Sequence, residues 1–169
     1  MIIVFFIYGL AFFSLGLAII FQSKKQSSFK IASCFWLLAW FGILHGINEW
    51  LDMFLILGEG HWNAQAIKAV EITRFLVGKI SYLFLLQFGL ASILINHASY
   101  RWIKPVSLSA YIILIICLFA YGCKSDFNLT WFSRSDIFMR YFLAFPAALL
   151  ASLGFFRQNK SSDIKKLNS

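Results

Sequence analysis

Apolar residues along this chain neither alternate nor recur every third or fourth position against a polar face. They run together in five long blocks separated by short polar joins. A helix rises about 1.5 Å per residue and the hydrocarbon core of a bilayer is about 30 Å thick, so a crossing helix needs about 20 apolar residues. That template predicts helices at about 2–22, 31–57, 66–96, 105–122 and 136–156, joined by SKKQSSFK, GEGHWNAQ, HASYRWIK and CKSDFNLTWFSRS. The expected fold class is all-α: a polytopic transmembrane helix bundle of about five spans, one helical module over 1–157 followed by a basic tail over 158–169. The third block is longer than crossing requires. Its outer turns, with Lys68, Glu71 and Arg74, are expected to protrude or tilt at the headgroup level.

The pattern breaks most sharply in FGILHGINEWLDMF, residues 41–54. His45, Asn48, Glu49 and Asp52 stand at offsets of three, four and seven, so they share one face of the second helix. In the third helix Lys68, Glu71, Arg74, Lys79 and Tyr82 fall within an arc of about 140°. Asp136 and Arg140, four apart, add a polar patch to the fifth. A charge at bilayer depth costs about 2.5 to 3.5 kcal/mol on insertion scales, so these stripes should face the bundle interior. Counting the rise per residue puts His45 near the mid-plane and Glu49, Asp52, Arg74, Lys79 and Arg140 in the outer half. The expectation is a polar, partly wet cup open to the outside. In it, acids of the second helix are answered by bases of the third and fifth, and Trp50, next to Glu49, forms a wall. The plainer reading is adhesion, each charge neutralising another across helices. Buried pairs need not stabilise more than apolar packing, so the retention of so many in a short chain leans toward function.

Composition narrows the class. Hydrophobic residues make up 60% and charged residues 13%, against about 25% charged in soluble domains. The chain therefore reads as an integral membrane protein with no room for a soluble catalytic domain. The net charge of +8 gathers at block ends, which points to lipid headgroups and not to nucleic acid. Lys24, Lys25, Lys30, Arg101, Lys104, Arg157, Lys160, Lys165 and Lys166 fall on one side, and only Lys124 and Arg134 on the other. By the positive-inside rule the N-terminus is outside and the C-terminus cytoplasmic. The first block lacks a basic n-region and a small-residue cleavage site, so it reads as an uncleaved span.

Other residues carry weaker signals. Cys34, Cys117 and Cys123 have no metal spacing and an odd count, so apolar packing is expected of them. Trp36, Trp40, Trp62, Trp102 and Trp131 fall near span ends, as interfacial anchors do. Asn128-Leu129-Thr130 is a glycosylation sequon in the outer loop. Pro105 suits the start of a helix, whereas Pro146 lies inside one and frees a carbonyl a turn earlier, so a kink is expected there. Ala147, Ala148, Ala151, Ser152 and Gly154 follow it and permit close helix contact. A metal centre on His45 and Glu49 would need a further ligand from Asp52, Glu71 or His61, and His97 lies at the far membrane edge. No metal or other cofactor is expected. With no nucleophile beside a base and no glycine-rich phosphate loop, an enzyme is not the leading expectation. A metal-dependent intramembrane enzyme and a structural subunit of a membrane complex are the alternatives.

Three stretches, YGLAFFSLGLAI at 8–19, FGILHGINEWLDMF at 41–54 and RYFLAFPAALLASLG at 140–154, resemble the membrane-embedded N-terminal sensing region of bacterial sensor histidine kinases and related diguanylate cyclases. The resemblance covers about residues 4–157, and its most specific part is the His-Gly-x-x-Glu-Trp element. It implies a multi-pass sensory module in a bacterial inner membrane. His45, Glu49, Trp50, Arg140 and Pro146 match its motifs, and Pro146 serves as a hinge. The partners it implies are membrane lipid, a cytoplasmic or membrane signalling protein and a second copy of the chain. Members of that type continue into further helices and a kinase or cyclase, whereas this sequence stops at Ser169, as a fragment or a shortened module acting through a partner would.

Overall fold

The computed structural model describes residues 1–22, 33–95, 98–100, 102–124 and 128–167, with side chains described as far as 157. Lys24, Lys25, Lys30, His97 and Arg101, and the side chains of Lys160, Lys165 and Lys166, lie outside the described residues, so much of the charge asymmetry expected to set orientation does too. The described chain is all-helical: α1 (Ile2–Gln22), α2 (Phe35–Gly58), α3 (Ala64–Leu94), a short 3-10 turn at Ala98–Tyr100, α4 (Ile103–Lys124), α5 (Leu129–Met139), a π turn at Arg140–Ala144 and α6 (Phe145–Leu167). The α5 helix, the π turn and α6 follow without a break, giving five rods among the described residues. Four stretches are long and apolar enough to cross a membrane: α1, α3, α4 and Thr130–Arg157. The α2 helix has the length, 24 residues. It misses that group because His45, Asn48, Glu49 and Asp52 dilute its apolar run.

Side-chain caps fix two of the starts. Asn63 accepts a hydrogen bond from the Ala66 N–H at 2.8 Å and opens α3. Asn128 does the same for Trp131 at 2.8 Å and opens α5. Each satisfies one of the orphan donors of a first turn. The last rod therefore begins at Leu129, seven residues before the expected 136, and the sequon asparagine is a helix cap. Apolar content alone hid this turn, since LTWFSRSD is half polar, but Trp131, Phe132, Ser135 and Met139 are buried at helical spacing. Trp131 is thus a core residue against Phe75 and not an interfacial anchor. Pro105 lies in the first turn of α4, as expected. Of the cysteines only Cys34 is buried; Cys117 and Cys123 are exposed on α4.

The α3 helix is the hub. It packs against α2, α4, α5 and α6, whereas α1 packs chiefly on α2. The α1–α2 contact is backbone on backbone: a Cβ on Gly46 would lie 2.6 Å from the Gly9 carbonyl oxygen, and one on Gly42 2.8 Å from that of Phe12. Gly42-Ile-Leu-His-Gly46 is a small-xxx-small motif, the arrangement that lets membrane helices approach closely. Small residues also seat α6 on α3, where Ala147 and Ala151 are buried and a Cβ on Gly89 would come 3.0 Å from the Ala147 oxygen. Gly154 meets Ser92, while Ala148 and Ser152 are exposed on the other face.

The π turn explains how one rod keeps one face on α3. Met139 and Ala147 are both fully buried, yet eight residues at 100° each would leave them about 80° apart. One extra residue taken up in a wide turn brings them back to within about 20°. Phe145 N–H accordingly bonds to Arg140 O, five residues back. Pro146 sits just beyond, with no N–H to give and a ring that pushes away the carbonyl four residues earlier. The irregularity expected at Pro146 is therefore a π turn immediately before it.

Candidate functional site: a charged cavity between four helices

Three core clusters stack along the bundle, and the charged groups lie among them. Phe75, Trp131 and Phe132 form one cluster, Tyr82, Tyr111 and Met139 the next, and Phe41, Leu85 and Phe88 with Ala91, Ala147 and Ala151 the third. Lys79 stands between the first two, only 1% exposed. Its ammonium donates to Asp136 Oδ1 of α5 and lies 5.1 Å from the centre of the Phe75 ring and 5.7 Å from that of Tyr82. The Tyr111 hydroxyl of α4 donates to the Lys79 carbonyl oxygen. A buried ammonium is tolerable only when it is paired and hydrogen-bonded, and here α5 and two aromatic faces supply that.

Further out, Arg74 of α3 holds two carboxylates. Its Nη1 lies 2.9 Å from Asp52 Oδ1 of α2, and its Nε and Nη2 lie 3.2 and 3.0 Å from Glu71 Oε2 one turn earlier. Arg140, first residue of the π turn, binds Asp136 Oδ2 through Nε at 3.0 Å. Asp136 thus joins Lys79 and Arg140, one oxygen to each. Deeper in, His45 Nε2 approaches Glu49 Oε1 at 3.6 Å, and His45 Nδ1 is 3.4 Å from Ser81 Oγ of α3. Phe12 and Phe41 flank the imidazole, with ring centres at 4.6 and 5.2 Å. Asn48 is buried against Gly78, where a Cβ would meet its Oδ1 at 2.7 Å.

Beside this network lies a cavity of about 420 Å³ lined by Val4, Phe5 and Tyr8 of α1, Glu49 and Asp52 of α2, Arg74 of α3 and Arg140. Two acids of the second helix, Glu49 and Asp52, and bases of the third and last rods, Arg74 and Arg140, line the same cavity. The pairing differs from the expected one in two ways. Lys79 answers Asp136 and not an acid of α2, because it leaves α3 on the side that faces α5. Glu49, among the described residues, has only His45 within ion-pair distance. Trp50 is no wall of the cavity: its Nε1 donates to the Phe6 carbonyl at 3.3 Å and its ring lies 5.2 Å from that of Phe13, so it fastens α2 to α1. The side adjacent to Glu49 in sequence is 100° away on the helix, which is why neighbours in sequence separate here. His45, Asn48, Glu71 and Lys79 do not line the cavity.

The residue that sequence reasoning undervalued is Asp136, noted only as half of an (i, i+4) pair yet bound to bases of two elements. The α1 wall was also missed, since Val4, Phe5 and Tyr8 carry no charge to betray them. Among the described residues no group of three from His, Cys, Asp and Glu gathers as metal ligands. His61, one of the three further ligands considered for a His45–Glu49 centre, instead bonds to the Glu59 carbonyl in the α2–α3 turn.

The fold and site together define a helical membrane bundle with an interior ion network opening into a cavity. Comparison with known protein families, with curated proteins and with solved structures finds no match to the chain.

Proposed function

We propose that the chain is a five-span sensory input module of a bacterial inner membrane, with its N-terminus outside and its C-terminus in the cytoplasm. Four rods qualify as spans on apolarity, and α2 crosses with them because its polar face is covered by α1 and α3. The observation that carries the reading is the cavity, lined by ionisable groups from α2, α3 and the π turn together with uncharged residues of α1. Adhesion alone needs pairs, not a space beside them. Ligand occupancy would signal only if it favoured one of two helix arrangements. The elements placed to move are α1, which packs chiefly on α2, and the π turn with Pro146, which joins the cavity residue Arg140 directly to α6. The resemblance to sensor kinase N-terminal regions supports the same direction of flow, from cavity to cytoplasmic end.

The test is a fusion of the chain, beyond Leu167, to a histidine-kinase catalytic core, reconstituted in nanodiscs. Glu49→Gln and Arg140→Gln are expected to change autophosphorylation at least about twofold, while Ala148→Leu on the exposed face of α6 leaves it unchanged. Output that ignores all three variants would reduce the network to adhesion.

A further inference from the structure

We propose that the cavity takes a zwitterion, a ligand carrying an ammonium beside a carboxylate or phosphate; this rests on the cavity's being the ligand site. Four charged side chains line the wall, and two of them, Asp52 and Arg74, are engaged with each other at 2.9 Å. The other two, Glu49 and Arg140, line the same space without pairing with each other. Arg140 is held by Asp136 through a hydrogen bond from Nε at 3.0 Å. Its side chain remains 51% exposed. Glu49 is 4% exposed, with an imidazole at 3.6 Å and, among the described residues, no Lys or Arg within ion-pair distance.

Glu49 and Arg140 thus offer opposite charges to one cavity, the carboxylate buried with no base at ion-pair distance among the described residues and the guanidinium held at Nε with its side chain half exposed. A ligand of both signs answers both and brings no net charge into the bundle. The open edge of the guanidinium suits the two oxygens of a carboxylate or phosphate. The Glu49 oxygens accept from an ammonium. The rest of the wall, Val4, Phe5 and Tyr8, offers apolar and aromatic surface for the body of the ligand and for its cationic end. A volume of about 420 Å³ lies within the range of small-ligand pockets.

Two sources supply this chemistry, a soluble amino acid and a zwitterionic phospholipid headgroup. The full chain is reconstituted in nanodiscs of phosphatidylglycerol, which lacks an ammonium. It is then titrated calorimetrically with leucine, with isoamylamine and with 4-methylpentanoate, the same body carrying both charges or one. In a second arm, retention of phosphatidylethanolamine against phosphatidylglycerol is read by native mass spectrometry. The expected result is that leucine, or phosphatidylethanolamine, binds at least about tenfold tighter than its single-charge counterpart. Glu49→Gln and Arg140→Gln should each abolish that preference. Val4→Trp, which crowds the α1 wall and leaves the ion pairs alone, should block binding without unfolding the bundle. The first arm positive assigns a soluble ligand, the second a lipid. Equal binding of a single-charge probe, still blocked by Val4→Trp, overturns the zwitterion and keeps the cavity as a ligand site. No probe responding to Val4→Trp or Glu49→Gln overturns the zwitterion too, and the kinase-fusion output then decides the wider reading.

Discussion

At the scale of single residues the sequence announces where charge sits but not which charge meets which. His45, Glu49 and Asp52 declare a face of α2 by their spacing, and that face does turn inward. Whether Lys79 reaches an acid of α2 or of α5 depends on which side of α3 each neighbour occupies, and no local pattern encodes that. Asp136 is the residue whose loss should cost most. Replacing it with Asn leaves the Lys79 ammonium buried against a neutral amide, and breaking a buried pair in this way costs about 3–5 kcal/mol. Asp136→Asn is therefore expected to lower the midpoint of unfolding in detergent–SDS mixtures, and the double variant Lys79→Met with Asp136→Leu to regain most of the loss. An unchanged midpoint in the single variant would mean that Lys79 is solvated by a route other than Asp136.

At the scale of elements, close contact and register decide the arrangement. The Gly42-x-x-x-Gly46 motif stands open in the sequence, but its partner face, Gly9 and Gly16 of α1, is identified only once the two helices are side by side. A methyl on Gly46 would meet the Gly9 carbonyl at 2.6 Å, so Gly46→Ala must push α1 outward, at a cost of about 1–3 kcal/mol. Loss of α1 protection in hydrogen exchange, with α3 protection retained, would show it; unaltered exchange in α1 would contradict the packing. The π turn was the least legible feature. Its cause is the need to keep Met139 and Ala147 on one face, a relation between residues eight apart that apolar content does not reveal. Pro146→Ala supplies one backbone hydrogen bond, a net gain of about 1 kcal/mol. Straightening the turn would also swing Asp136 off Lys79, at about 3–5 kcal/mol. Loss of the ion pair outweighs the gained hydrogen bond, so the π turn should persist in Pro146→Ala, as read from backbone chemical shifts over 140–144. A regular α-helix there would show that the proline alone holds it.

At the scale of the whole molecule, α3 is the fixed post and α1 the outer panel of the cavity. That architecture was legible in outline: long apolar blocks gave the helices, and inward polar stripes gave a charged interior. The α1 panel was not, because apolar residues that line a cavity and apolar residues that face lipid look alike in a sequence. Tyr8 and Ile7 make the distinction measurable, since both are exposed and lie at nearly the same depth, yet only Tyr8 lines the cavity. In a chain whose three cysteines are replaced by serine, Tyr8→Cys is expected to react with a membrane-impermeant thiol reagent added on the N-terminal side, while Ile7→Cys stays unmodified in lipid. Equal resistance of the two positions, or reaction of Tyr8→Cys only from the opposite side, would contradict a water-filled cavity open at the N-terminal side.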